Sequence, residues 1–576
     1  MVVRSNHYKA AFVAAQDLQR SGRLAEAERA WRELDQKLPG HVGVITNLAM
    51  VLWQLSKFEA AEISAEQALK IAPDTVQARA IFAASAESQG KIDQAIERYI
   101  YALEIAPRMS TVLHCLSNLY RQRGDLKASA HYARRMAHEA PDNAVAWDTL
   151  GAVLLAINEL DGASDALNKA VKLDPNLASA EANLGVLAAA RHQWSTALRH
   201  AEQALAIEPS SAESNNNRGN ALMSLGRLDE AECAFNAALS INSNCFDAMF
   251  NRSLLWLKQG RWPKAWQGFE ARWQSRQMAP FKREFNKPLW DGSDSMDKVL
   301  LIHAEQGLGD MLMMARYFPL AEAKVGGLIV ECQTELVKIL TTMSLGFDVI
   351  GSGNPLPKFD MHLPAMSLPR VFHTDVNSVP WRGPYLNATH AATQIIPSEG
   401  LNIGLVWAGN SRNPSDFRRS IALHDLAPLL EINGVNFFSL QHGPEGDQLA
   451  ANGLLRKITD LRPHMVDFAA TGRLILELDL VISVCTSVAH LAGGMGTPLW
   501  VLLSADPDWR WLRNCGTSPW YPNARLFRQK IVGSWKTVVE ETKLALSEMV
   551  ESENYSRRRK TMANDGSEEL GSFTRS

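Results

Sequence analysis

From Tyr8 to Ala279 the small and apolar positions recur every 34 residues, and three tracks carry the period. Prolines stand at Pro39, Pro73, Pro107, Pro141, Pro175 and Pro209. Residues that tolerate a left-handed turn stand at Gly22, Ser56, Gly90, Gly124, Asn158, His192, Gly226 and Gly260. Small side chains stand at Ala27, Ala61, Ala95, Ser129, Ala163, Ala197, Ala231 and Ala265, where two helices of a hairpin must approach closely. Such a period predicts eight stacked helical hairpins, each able to bury its apolar face only against its neighbours. Where the tracks depart, at Ser243 for proline and at Asn158 and His192 for glycine, a looser turn is expected rather than a missing hairpin.

After Asp297 the period vanishes, and short apolar runs alternate with helical patterns. The runs are Val299 to Ile302, Leu328 to Val330, Phe347 to Ile350, Ile403 to Trp407, Val435 to Leu440, Leu480 to Val484, Leu499 to Leu503 and Arg525 to Phe527. They predict parallel strands of an α/β architecture. Spread over two stretches parted near Ser398 to Leu401, they predict two Rossmann-like lobes with a ligand-binding crevice. The expected plan is a repeat superhelix over 8–279, a linker over 280–297 marked by Pro288 and Gly292, lobes over 298–398 and 399–550, and a polar, disordered tail over 551–576. The amphipathic stretch Trp535 to Val550 is expected to pack as a terminal helix on the second lobe.

Composition narrows the function classes. With 46% apolar and 21% charged residues the chain of 576 residues is expected to be globular and multidomain. The balance of 59 Lys and Arg against 62 Asp and Glu gives no global field to recruit nucleic acid or anionic lipid, so an anion site must be local. Six scattered cysteines without a C-x-x-C pair predict neither a disulfide framework nor a structural metal. The N-terminal stretch lacks an unbroken apolar region, and a cytoplasmic protein without a membrane span is expected. The apolar stretch Val484 to Leu503 contains His490, three glycines and Pro498, which suits a buried α/β core better than a bilayer. The junction from Trp256 to Trp290 mixes five tryptophans with Arg261, Lys264, Arg272, Arg276, Lys282 and Arg283. Stacking and charge of this kind serve nucleic-acid binding, but Trp256, Trp262, Trp266 and Trp273 keep helical spacing, and capping of the superhelix end is the expected role.

The repeat pattern resembles the tetratricopeptide repeat. Beyond it, "LLIHAEQGLGDMLMMARYFPL", "IGLVWAGN", "RRSIAL", "FFSLQHG" and "LDLVISVCTSVAHLAGGMGTPLWVLL" followed by "DWRW" look like the catalytic half of bacterial tetratricopeptide-linked glycosyltransferases. That half is similar to heptosyltransferases of the GT-B class, and the whole plan resembles protein O-linked N-acetylglucosamine transferases and flagellin glycosyltransferases. The resemblance implies an α solenoid followed by a GT-B fold, with the first lobe on the acceptor side and the second on the nucleotide-sugar side. It implies no cofactor beyond the nucleotide sugar as co-substrate, and metal-independent transfer.

The candidate site residues follow. Gly307 and Gly309 are expected to turn the chain sharply from strand to helix, leaving Asp310 at a helix N-terminus. The matching Asp of heptosyltransferase-like enzymes is the candidate catalytic base, and the competing role is a helix cap. Thr486, Ser487 and Val488 open a helix whose free amides suit a diphosphate, with His490 one turn further in. Arg418 and Arg419 are expected to meet the charge of the leaving nucleotide, and Asn410 and Gln441 complete the donor contacts. Cys485 departs from the family, which usually has Asp there. The sequence Asp506-Pro507-Asp508 is read as a structural loop rather than a metal motif. On the repeats Asn47, Asn183, Asn217 and Asn251 share one position, and their amides are expected to hold an acceptor protein or peptide backbone. The expected activity is transfer of a sugar to a protein Ser or Thr hydroxyl, flagellin among the acceptors implied. The alternatives are transfer to a lipopolysaccharide or capsule glycan, and a non-catalytic repeat scaffold with degenerate lobes, which Cys485 favours.

Overall fold

The computed structural model describes residues 2–343, 346–388, 395–397, 399–411, 416–513 and 515–552. Ser398 at the expected lobe boundary and the tail beyond residue 552 lie outside the described residues. The period of 34 folds into about sixteen paired helices, from Val2–Arg20 and Leu24–Lys37 through to Phe246–Lys258 and Trp262–Phe269. All eight turn positions take positive φ, between 58° and 84°. Ser56, Asn158 and His192 are among them, so the expected looser turns do not occur. The flanking helices dictate the turn, and a non-glycine residue accepts about 1–2 kcal/mol of strain rather than change it. Asn242, before Ser243, likewise keeps the extended geometry that Ala72 has before Pro73. Every member of the small track is at most 3% exposed, the signature of helices packed at their closest approach.

The chain divides into two compact units, Met1–Leu225 and Gly226–Ser576. The last hairpins thus belong with the sheets, although the sequence changes period only after Asp297. Tryptophans explain why. Trp262 and Trp266 are buried, Trp262 stacking on Trp520 at 5.1 Å and both meeting Trp509 edge-on. Trp266 Nε1 donates to the Thr374 carbonyl. They cap the hairpin by fusing it to the α/β region. The basic residues beside them are committed as well: Arg261 to Glu232, Arg276 to Asp247, Arg283 to Glu331, and the wholly buried Arg272 to Glu305 and Glu270.

Ten strands follow: β1 Ser295–His303, β2 Val325–Cys332, β3 Asp348–Gly351, β4 Met361–Pro364, β5 Leu401–Val406, β6 Val435–Ser439, β7 Ile458–Asp460, β8 Leu480–Val484, β9 Leu499–Leu503 and β10 Ala524–Arg528. All eight apolar runs became strands, while β4 and β7 carry no unbroken apolar run, being interrupted at His362 and Thr459. They form two wholly parallel sheets, in the orders β3-β2-β1-β4 and β10-β9-β8-β5-β6-β7. β5, β8 and β9 are buried along their whole length, as strands covered on both faces must be. A helix over 536–552 packs Val538, Val539, Ala545 and Leu546 into the second sheet's core.

In each sheet the chain steps first to one side of the starting strand and later to the other. Strand order therefore reverses between β1 and β4, and between β5 and β8. Ligands of open parallel sheets bind outside the carboxyl ends of the strands at such switch points. The stretch Val484 to Leu503 resolves into the end of β8, the helix Ser487–Met495 and β9. No described helix is long and apolar enough to cross a membrane. All six cysteines are free thiols.

Candidate functional site

The predicted chemistry gathers at those switch points. β1 runs into the loop ending at Gly307, the N-cap of the helix Leu308–Met314, with Asp310 in its first turn. One Asp310 carboxylate oxygen accepts the Gly307 N–H at 2.9 Å and the other accepts from Arg510. The capping role is thus filled, and a second role faces the other lobe. The two glycines serve differently from expectation. Gly307 has an ordinary φ of −72°. A Cβ on Gly309 would stand 2.6 Å from His490 Cδ2, so this glycine permits the close approach of helices Leu308–Met314 and Ser487–Met495. Packing between lobes, not a sharp turn, requires it.

In the second lobe β8 leads through Cys485 to Thr486, the N-cap of the helix Ser487–Met495. The Thr486 and Ser483 hydroxyls share a hydrogen bond of 3.1 Å. Ser487 is half-buried and Val488 buried. Arg419, on the loop after β5, donates to Asp416 at 2.8 Å and to the Cys485 carbonyl at 3.0 Å, which places a guanidinium beside this helix start. The Cys485 thiol accepts from Trp511 Nε1, and burial pushes its pKa up, so it is an uncharged acceptor.

Three of the expected donor residues have other duties. Gln441 spends its whole amide inside the lobe: Oε1 accepts from Trp407 and Ala408, and Nε2 donates to the carbonyls of Ala408 and His442. It ties β5 to β6 and has no capacity left for a donor. Arg418 pairs with Asp506, which also takes Lys258 from the last hairpin at 2.8 Å. His490 is 4% exposed, bonded to the Tyr521 hydroxyl at 2.9 Å and stacked on Trp511. Burial, reinforced by Arg510, holds its pKa down to about 3, so it is a neutral packing element between the helices Leu308–Met314 and Ser487–Met495. Asn410 lies exposed on the loop after β5.

The asparagine row is not a uniform amide ladder. Asn47 donates to the Gly43 carbonyl one turn back, and Asn183 donates to Asp148, which also accepts from Ser179. A helical asparagine always has the i−4 carbonyl in reach. Asn217 Nδ2 is buried without a partner in its unit, and Asn251 is half-buried.

Sequence reasoning gave no site role to Arg510, Trp511 or Tyr521 and read Asp508 only as part of a structural loop. Arg510 is 8% exposed and donates to both Asp310 and Asp508, joining the two lobes at the site. Asp508 also accepts the Arg510 backbone N–H, the side-chain turn that makes the Asp506 to Asp508 segment a structural loop. The legible signal was an arginine among tryptophans just after β9, a strand next to β8. Among the described residues no group of three or more His, Cys, Asp or Glu is arranged to hold a metal.

Models of the tetratricopeptide repeat match residues 42–75 and 182–244. The repeats are tetratricopeptide repeats. Over 506 residues the chain is 24% identical to Protein FlbA of Caulobacter vibrioides, covering 82% of this chain and 84% of that one. Among solved structures, a tetratricopeptide repeat protein from Parabacteroides merdae is 18% identical, with a TM-score of 0.38, over 43% of this chain and 98% of its own. A chain of the APC/C hetero-tetramer Cut9-Hcn1 is 17% identical with a TM-score of 0.38 over 42% of this chain, which spans about half, 48%, of that chain.

Proposed function

We propose that the sheet region is a glycosyltransferase of GT-B type that moves a sugar from a nucleotide-sugar donor to a Ser or Thr hydroxyl of a protein presented by the tetratricopeptide repeats. One observation carries the reading. The carboxyl ends of β1, β5, β8 and β9 bring a carboxylate of one lobe, Asp310, to the cations and helix start of the other, Arg510, Arg419 and Thr486 to Val488. In the reaction Asp310 takes the proton of the acceptor hydroxyl as its oxygen bonds to the anomeric carbon. The bond from that carbon to the diphosphate breaks, and the nucleoside diphosphate leaves with the electron pair. Arg419, Arg510 and the amides at Thr486 to Val488 meet its charge. The expected setting is the cytoplasm.

Co-expression with candidate acceptor proteins, flagellin among them, tests the reading by intact mass. A sugar-sized increment on the acceptor is expected, and Asp310→Asn lowers its rate by about a hundredfold or more, the usual scale for losing a general base. An unmodified acceptor across the panel sinks the reading. The scaffold alternative keeps one specific support, the thiol of Cys485 bonded to Trp511 in place of a carboxylate. Rescue of an inactive protein by Cys485→Asp would establish that alternative.

A further inference from the structure

We propose that Arg510 is shared between two states of the site: with no diphosphate bound it neutralises Asp310, and an arriving diphosphate takes it over and releases the Asp310 carboxylate. This rests on the nucleotide-sugar reading only for the identity of the anion. The guanidinium is nine-tenths buried, lies 4.4 Å over the Trp509 ring and is held between Asp310 of the first lobe and Asp508 of the second. Its Nε–H is buried without an acceptor, so the group has unused donor capacity where a phosphate oxygen would satisfy it. The turn that presents it, Trp509–Trp511, ends at Leu512 with φ of 55° and ψ of −169°, a conformation that persists only where the surroundings impose it. A carboxylate oxygen already bonded to a guanidinium is not free to receive the acceptor's proton. Freeing it only once the diphosphate is seated couples the chemistry to donor binding, so the donor binds before the acceptor reacts.

Calorimetry on the full chain with inorganic pyrophosphate and a panel of nucleoside diphosphates tests this. Arg510→Met is expected to weaken pyrophosphate by about tenfold or more, the scale of removing one partner of a buried charged pair. Asp310→Asn removes the competitor and is expected to tighten pyrophosphate by about threefold or more through the same pair. Opposite signs distinguish a shared cation from a folding tie, which would weaken both variants or neither. Should Arg510→Met misfold, Asp310→Asn still decides, because unchanged or weaker pyrophosphate binding in that variant overturns the proposal. Opposite signs with pyrophosphate but no preference for any nucleoside diphosphate would uphold the shared arginine and sink the nucleotide-sugar reading. A nucleoside diphosphate bound equally by wild type and Arg510→Met would do the reverse. No binding of either probe overturns both.

Discussion

The two units hold themselves together over different distances along the chain. In the first, side-chain bonds such as Gln19 to Gln54, Trp53 to Ser88, His114 to Thr149 and Asn183 to Asp148 each span 35 residues, one period and a step. In the second, Arg510 to Asp310 spans 200 residues, Arg316 to the Trp520 carbonyl 204, and Lys258 to Asp506 248. A solenoid adds stability repeat by repeat, whereas parallel sheets must close long loops before their contacts form. The charges differ in the same way. The first unit pairs most of its ions at the surface, where each contributes little. The second buries Arg272, Glu305, Arg316 and Arg510, groups that are costly to leave unpaired.

The sharpest way to break this contrast is at Arg272. It grips Glu305 through two nitrogens, at 2.8 and 3.0 Å, and bonds Ser367 at 2.8 Å. Arg272→Met leaves the buried Glu305 carboxylate unpaired, so the second unit should lose about 3–5 kcal/mol. Two-stage thermal unfolding followed by calorimetry should show that transition falling while the transition of the first unit stays in place. A shift shared by both units would erase the distinction.

Acid should act on the same side. Burial, aided by His362, holds His303 down to about 3, and His490 is held down to a similar value. His362 and His442 are also lowered by burial. An unfolded histidine titrates near 6.5, so the unfolded state binds the extra protons. The stability these neutral rings contribute is complete above that value and is lost as pH falls below it, towards about 3. Urea unfolding at pH 8 and pH 5 should show the loss in the second unit, shallower in His303→Gln. In the first unit the described lowered histidine is His114. An equal pH slope in both units would count against this assignment.

Within the repeats the expected effects are smaller and local. Ala163 is wholly buried, so Ala163→Leu overpacks one hairpin at a cost of about 1–3 kcal/mol. Hydrogen exchange should quicken in that hairpin and its neighbours, with the second unit unchanged. The smallest expected change is a gain. His192 sits at φ of 58°, and His192→Gly should stabilise the first unit by up to about 1 kcal/mol, read from its unfolding midpoint.

Much of this was legible in the sequence, for reasons that differ between the units. The helix pairs, their left-handed turns and the buried alanine track follow from a local period, because each hairpin meets only its neighbours. Eight of ten strands were legible because each carries a short apolar run, unbroken burial on both faces being the reason in β5, β8 and β9. Asp310 and Thr486 to Val488 were legible as loop-to-helix starts after strands. Tertiary structure alone decided the rest. It fused Trp262 and Trp266 to Trp509 and Trp520, withdrew Gln441 into the core, and made Gly309 a seat for His490. It also set Arg510 against Asp310. A pairing 200 residues apart leaves no trace in local pattern, since which charge meets which is settled by how two sheets dock and not by spacing along the chain.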